Sequence, residues 1–220
     1  RLMLEKGDEV LVGVRILMKG LGVEKAIIGI ENNKADAIKN MKVLAAKYPG
    51  ISVQALKVKY PQGGEKQLIN AILKREVPSG KLPIEVGCVV NNVGTAFAVY
   101  EAVQKNKPLI ERIVTVTGKT VSRPSNFLVR IGTPISELLE KAQAKMEETG
   151  KVVSGGPMMG KALNSLEIPV VKGTSGILLF EESHAMRPDL RTCIRCGRCV
   201  GVCPMGLEPI LLAQYSRISM

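Results

Sequence analysis

Apolar residues recur along the first hundred positions in two alternating rhythms. Residues 8–19, DEVLVGVRILMK, carry them at helical spacing until Gly20 and Gly22 interrupt, with Asp8 as a candidate N-cap. Residues 23–31, VEKAIIGIE, read as a buried strand, and Asn32, Asn33 and Lys34 lead into a second amphipathic helix that ends before Pro49 and Gly50. ISVQALKVK at 51–59 alternates like another strand. A helix over 65–76, a Pro/Gly turn at 78–83, a short strand at 86–90 and a helix over 94–106 follow. Strands alternating with crossover helices predict a largely parallel sheet with helices on its faces.

Near residue 110 the pattern changes. RIVTVTG, FLVRIG, KVVSGG and IPVVKGTSGILLF are strand-like and separated by turns, with one helix, ISELLEKAQAKMEET, among them and Thr133 or Ser136 as its cap. A small mixed sheet packed on a single helix fits the β-grasp class. The expected division is an α/β section at 1–109, an α+β section at 110–182, and a third unit at 183–220, set off after Pro188 by a short linker.

At 220 residues the chain is long enough to bury a core, and with few aromatics and no Trp that core must be aliphatic. No apolar stretch reaches the roughly 18 residues of a membrane-spanning helix. The chain is therefore expected to be soluble, with membrane attachment only through a partner. The formal charge of +11 would attract nucleic acid, anionic lipid or an acidic protein. Lys6, Lys19, Lys25, Lys34, Lys39, Lys42 and Lys47 are dispersed along helices without stacking aromatics, which argues against nucleic acid. A solvated basic face is the plain explanation, and docking an acidic redox partner the simplest use for it.

The third unit carries the chemistry. Cys193, Cys196, Cys199 and Cys203 stand at spacings x2, x2, x3 with Pro204 directly after. This is the run with which two-cluster ferredoxins hold [4Fe–4S] cubes, three thiolates on one cluster and the fourth on the other. Gly197 leaves room between ligands, and Pro204 is expected to turn the chain away. Zinc is the alternative, but structural zinc sites set their cysteine pairs further apart. Disulfides fit poorly, because nothing here resembles a cystine-stapled secreted domain. Cys88 reads as a buried apolar side chain within a strand, and His184 as a surface residue in the linker.

Two loops in the first section are candidates for a cofactor. Tyr60-Pro61-Gln62-Gly63-Gly64-Glu65 and Asn91-Asn92-Val93-Gly94-Thr95 each leave a predicted strand and enter a helix, the place where open parallel sheets bind ligands. Glycines permit close backbone approach, helix N-termini favour phosphate, and paired Asn amides suit a heterocycle edge. Glu65 would accept from a ribose or ribityl hydroxyl. Each loop also has an ordinary explanation: a turn for Gly63-Gly64, a helix cap for Asn91-Asn92. No GxGxxG fingerprint is present, and Ser154–Gly160, SGGPMMG, lacks the ending of a P-loop.

The motifs RLMLEK, YPQGGEKQLI, REVPSGKLP, VVNNVGTA, SGGPMMG, PVVKGTSGI and CIRCGRCVGVCPMGLEP together span nearly the whole chain. They resemble the C subunit of the Rnf (Rsx) electron-transport complex, a family related to the flavin-binding NADH dehydrogenase subunit of respiratory complex I. The resemblance implies a Rossmann-like parallel-sheet flavin domain, a β-grasp domain of the soluble-ligand-binding (SLBB) type, and the start of a ferredoxin-like segment. It implies a peripheral electron-input subunit on the cytoplasmic face of the bacterial membrane, passing electrons between NAD(H), FMN and two [4Fe–4S] clusters. Its partners would be the other subunits, especially the iron–sulfur B subunit. By the same resemblance, Tyr60, Gly63, Gly64, Glu65, Asn91, Asn92 and Thr95 lie around FMN, with Glu65 matching at a one-residue offset. Cys193, Cys196 and Cys199 would ligate one cluster and Cys203 the other. Alternatives are a related cobalamin reductase or other soluble-acceptor flavin/iron–sulfur protein and, remotely, a zinc-stabilised nucleic-acid-binding module.

The family's upstream Gly-rich flavin loop and second cysteine run are not among these residues, so the chain reads as an internal piece of a longer polypeptide. Residues 1–220 expressed alone are expected to fold, to bind FMN weakly, to hold iron poorly and to oxidise no NADH. Tight flavin absorbance with diaphorase activity in that piece would refute this.

Overall fold

In a computed structural model, which describes residues 1–186, 191–203 and 205–218, the chain forms two compact units, Arg1–Arg112 and Ile113–Met220. Pro188 and Pro204, and the roles expected of them, lie outside the described residues.

The first unit begins with α1 (Leu2–Glu5) and α2 (Gly7–Leu21), then β1 (Ala26–Glu31), α3 (Ala35–Ala45), β2 (Ile51–Leu56), α4 (Glu65–Leu73) and α5 (Val93–Lys105). β1 and β2 pair in parallel, Ala26 opposite Ile51 through Glu31 opposite Leu56, so both strands end at one edge of the sheet. Ile28 and Ile30 alternate with more exposed neighbours and join Val10 and Leu11 of α2, Met41 of α3 and Ala96 of α5 in one aliphatic core. The opposite face of β1 passes under α4. A Cβ on Gly29 would lie 3.2 Å from Leu68 and 3.3 Å from Ile72.

α2 and α5 pack so closely that Gly13 has no space for a side chain. A Cβ there would overlap the Ala96 carbonyl oxygen. α2 ends on Gly22, whose left-handed conformation (φ 65°) lets its N–H reach the last carbonyls of the helix. At the far end of α5, Lys107 bonds Glu101 at 3.0 Å and Glu111 at 2.5 Å. Those hydrogen bonds, Glu111 foremost, push its pKa up.

The structure differs from the predicted pattern at several points in this unit. Residues 86–90 are not a strand: Pro83–Val86 form a 3₁₀ turn closed by Gly87 at φ 70°, so the sheet holds β1 and β2 only among the described residues. Cys88 is accordingly half-buried outside any strand, with the carbonyls of Pro83 and Val86 near its sulfur. α2 starts at Gly7 with Lys6 at its cap, and Asp8 sits in the first turn, where its charge suits the positive helix end. α4 stops at Leu73 because Lys74 turns left-handed (φ 56°).

The second unit is a mixed five-stranded sheet in the order β4-β3-β7-β5-β6, from β3 (Glu111–Gly118), β4 (Ser125–Arg130), β5 (Thr149–Ser154), β6 (Lys161–Ala162) and β7 (Gly176–Glu181). β3 and β7 run parallel, while β5 is antiparallel to both β6 and β7. α6 (Ile135–Lys141) buries Ile135, Leu138 and Leu139 against Val114, Val116, Ile177 and Leu179, the β-grasp plan. The helix is shorter than its composition suggests, since Gln143 takes a positive φ of 53° and Met146–Glu148 form a separate 3₁₀ turn. Neither Thr133 nor Ser136 caps it. Pro134 holds the cap position, and the N–H groups of Ile135 and Ser136 donate to the carbonyls of Ile168 and Leu166. Of IPVVKGTSGILLF only the residues from Gly176 onward enter the sheet, as part of β7; Pro169 makes a lone bridge to Pro134. The chain continues through α7 (Glu182–Ala185), α8 (Arg198–Gly201) and α9 (Pro209–Ile218). His184 therefore lies in a short helix, exposed, with its Nδ1 against Glu181. Glu181 also bonds Lys119 at 2.8 Å, and that bond is the chief cause of its lowered pKa.

The α2–α5 crossing yields a paired test. Gly13→Ala should lower the unfolding free energy by about 2 kcal/mol, as overpacking against a backbone group does. Gly20→Ala, where an added Cβ meets nothing, should raise it by roughly 0.5–1 kcal/mol. Urea denaturation of both variants checks the pair.

Candidate cofactor and metal sites

The loop after β2 starts at the carboxyl edge of the parallel pair, where the N–H of Asn32 donates to the Leu56 carbonyl at 2.7 Å. Two tight turns shape it: Gln62 N–H bonds the Lys59 carbonyl at 2.7 Å and Gly64 N–H the Pro61 carbonyl at 2.8 Å. Gly64 occupies the cap position of α4, and Glu65 is the first helical residue. Tyr60 is 66% exposed. With Lys59, Pro61 and Gln62 it lines a hollow of about 190 Å³ against Gln67, Asn70 and Ala71. Gln67 and Asn70 do not stand out in the sequence pattern, although their i, i+3 spacing beside this loop places two amides on one side of α4.

The second loop does not leave a strand. Cys88–Asn92 emerges from the 3₁₀ turn and enters α5, with Asn92 as N-cap. Its Oδ1 accepts from Gly94 N–H at 2.8 Å, so the plain capping role is realised at this residue. Asn91, Asn92 and Thr95 are all exposed. No hydrogen bond joins the two loops among the described residues.

The cysteine run curls through two residues in left-handed conformation, Arg195 (φ 54°) and Gly197 (φ 73°), before α8 begins. Backbone N–H groups point at sulfur: Arg195 N–H lies 3.4 Å from Cys193 Sγ, and Leu207 N–H 3.4 Å from Cys203 Sγ. All four cysteines are free, three exposed and Cys203 partly buried. Cys193 and Cys199 line a groove of about 470 Å³ with Arg191, Arg195, Gln214 and Arg217, facing α9. Among the described residues no three His, Cys, Asp or Glu side chains converge tightly enough to grip a single ion. What fits a cluster is the donor set, the N–H groups on its sulfurs and the open groove beside it. Arg195 stands inside the cysteine run and Arg191 just before it, but neither stands out in the sequence pattern.

Three segments match known domain families: residues 1–101 the Nuo51 FMN-binding domain, 113–162 the SLBB domain, and 186–207 the 4Fe-4S binding domain. The C subunit of the proton-translocating ferredoxin:NAD(+) oxidoreductase complex of Clostridium ljungdahlii is 49% identical over 97% of this chain and 46% of its own length. That of the Na(+)-translocating complex of Acetobacterium woodii is 45% identical over 100% of the chain and 49% of its length. Its counterpart in the ion-translocating oxidoreductase complex of Serratia proteamaculans is 44% identical over 99% and 31%. Over nearly all of its own length, the chain is similar to these C subunits. It spans a half or less of those relatives' own length. In fold, the chain resembles a chain of an NAD+-reducing [NiFe]-hydrogenase, in crystals of both the air-oxidized and the H2-reduced state. The TM-score is 0.67 at 18% identity, over 82% of this chain and 37% of that one. None of its described helices is long and apolar enough to cross a membrane.

The cap gives a check on Asn92. Asn92→Ala should cost about 1 kcal/mol of stability and Asn92→Asp much less, as N-caps behave. Asn91→Ala should stay within roughly 0.5 kcal/mol of the parent, like other exposed substitutions. Thermal unfolding of the three variants decides it.

Proposed function

We propose that this chain is the electron-input part of a C subunit, which passes electrons between NAD(H), FMN and [4Fe–4S] clusters within an ion-translocating ferredoxin:NAD(+) oxidoreductase complex. The observation that carries this is the Cys193–Cys203 run, with backbone N–H groups directed at two of its sulfurs, in a chain 49% identical over nearly all its length to such a protein. We assign 1–109 to flavin and nucleotide binding, 110–182 to a β-grasp spacer, and 183–220 to the first half of a two-cluster segment.

Tyr60, Gly63, Gly64 and Glu65 would hold FMN from the β2–α4 side, and Asn91, Asn92 and Thr95 from the start of α5. Asn92 spends one lone pair of its Oδ1 on the helix cap and keeps its NH₂ donors for a ligand. When bound, the flavin supplies the exchange between a two-electron hydride carrier and one-electron clusters. The protein's own share is to place that flavin and to hold the clusters. Cys193, Cys196 and Cys199 ligate one, and Cys203 reaches the other. Partners are the remaining subunits of the complex, the iron–sulfur B subunit foremost, and the chain sits peripherally on the cytoplasmic face of the membrane.

The test is cofactor analysis of the intact protein purified without oxygen. Flavin, iron and acid-labile sulfide should all be present. Cys199→Ser should abolish most of the signal of one cluster while flavin content stays at the parent level. Equal loss of both would point to misfolding and count against separate sites, and zinc without iron or sulfide would overturn the assignment.

A further inference from the structure

The groove beside Cys193 and Cys199 is lined by three guanidinium-bearing residues, Arg191, Arg195 and Arg217. They come from different places: Arg191 precedes the cysteine run, Arg195 lies inside it, and Arg217 is in the last turn of α9. None forms an ion pair among the described residues. Glu208 is the one carboxylate between positions 191 and 218, against four arginines and no lysine. It does not line the groove.

A cube held by thiolates carries net negative charge, and taking up one electron without a proton makes it more negative by one. Fixed positive charge beside it therefore stabilises the reduced form more than the oxidised form and raises the reduction potential. Resting on the assignment of a [4Fe–4S] cluster to Cys193, Cys196 and Cys199, we infer that Arg191, Arg195 and Arg217 set that cluster's potential above what its thiolates alone would give. The three are positioning residues for charge, not ligands, and they make this cluster the more ready acceptor of electrons arriving one at a time from the flavin. Arginine suits the task because it stays charged at every working pH and is weakly hydrated. An open groove screens the effect, so dissolved salt should modulate it.

The experiment is a dithionite titration of the intact, anaerobically purified protein, followed by the paramagnetic signal of the reduced cluster. Arg217→Gln and Arg191→Gln should each move its midpoint to more negative potential, and together further, with iron and sulfide per chain unchanged. Arg217→Lys, which keeps the charge, should move the midpoint less than Arg217→Gln, and raising the salt from low to high ionic strength should lower the parent's midpoint more than that of the double variant. The inference is overturned if the glutamine variants assemble full clusters at an unchanged potential. It is equally overturned if Arg217→Lys shifts as far as Arg217→Gln, which would make packing rather than charge the cause. A parent protein that takes up no iron and sulfide overturns the cluster assignment itself and this inference with it. That outcome is distinct from a loaded cluster whose potential ignores the arginines.

Discussion

The approach of α2 to α5 at Gly13 is the contact on which the first unit's candidate site depends. A methyl group at Gly13 would overlap the Ala96 carbonyl, and a backbone carbonyl cannot rotate aside as a side chain does. Ala96 lies one turn beyond the Asn92 cap, so whatever seats Ala96 also seats Asn91, Asn92 and Thr95. α2 in turn rests on β1 through the core that Val10 and Leu11 share with Ile28 and Ile30. The start of α5 is thereby referenced to the same parallel pair whose carboxyl edge carries the Tyr60 loop. Two loops that share no hydrogen bond are thereby held on one base of packed aliphatic side chains.

The cysteine segment is held differently. α8 and α9 bury no residue, and Ile194, Val202, Met205 and Ile218 are largely exposed. Few apolar contacts offset the cost of ordering these residues. In such a segment the binding energy of a metal centre is also folding energy, because the ligands are brought together by what they bind. The positive-φ residues Arg195 and Gly197 curl the backbone between the cysteines.

Elements with a long, unbroken period were legible in the amino-acid pattern; those ended by one residue's backbone conformation were not. α2, β1, α3 and β2 followed from their spacing because hydrophobic burial rewards that period on every turn. The strand expected at 86–90 failed because apolar residues in IEVGCVV imitate a buried strand, while Gly87 in the left-handed region closes a 3₁₀ turn instead. The helix from Ile135 was overextended for the same kind of reason: KAQAKMEET has helical composition, but Gln143 turns left-handed and the chain leaves. At its start, carbonyls of Leu166 and Ile168, far along the chain, satisfy helix donors that the local pattern assigns to Thr133 or Ser136. The spacing from Cys193 to Cys203 is visible in the sequence because spacing is a local property. The places of Gln67, Asn70 and Arg217 are not, because each acquires its place only when a helix lies beside a loop.

Charge is where the two levels part most clearly. A formal +11 spread over 31 basic and 20 acidic residues says nothing about location, and dispersed helix lysines suggest a uniform solvated face. The structure instead separates two uses. Lys107 and Lys119 are spent on carboxylates, bridging Glu101 to Glu111 and reaching Glu181. Pairs of that kind, partly or largely open to solvent, contribute little to stability and serve mainly to fix local geometry. The arginines around Cys193 and Cys199 have no such partners among the described residues, so their field is not cancelled at short range. A compact, strongly hydrated ammonium in the same groove would keep more of its water and lose more of its influence to solvent, whereas a planar guanidinium can lie against sulfur-rich and aliphatic surface. The choice of arginine throughout the cysteine segment, where the rest of the chain uses mostly lysine, follows from that difference in hydration.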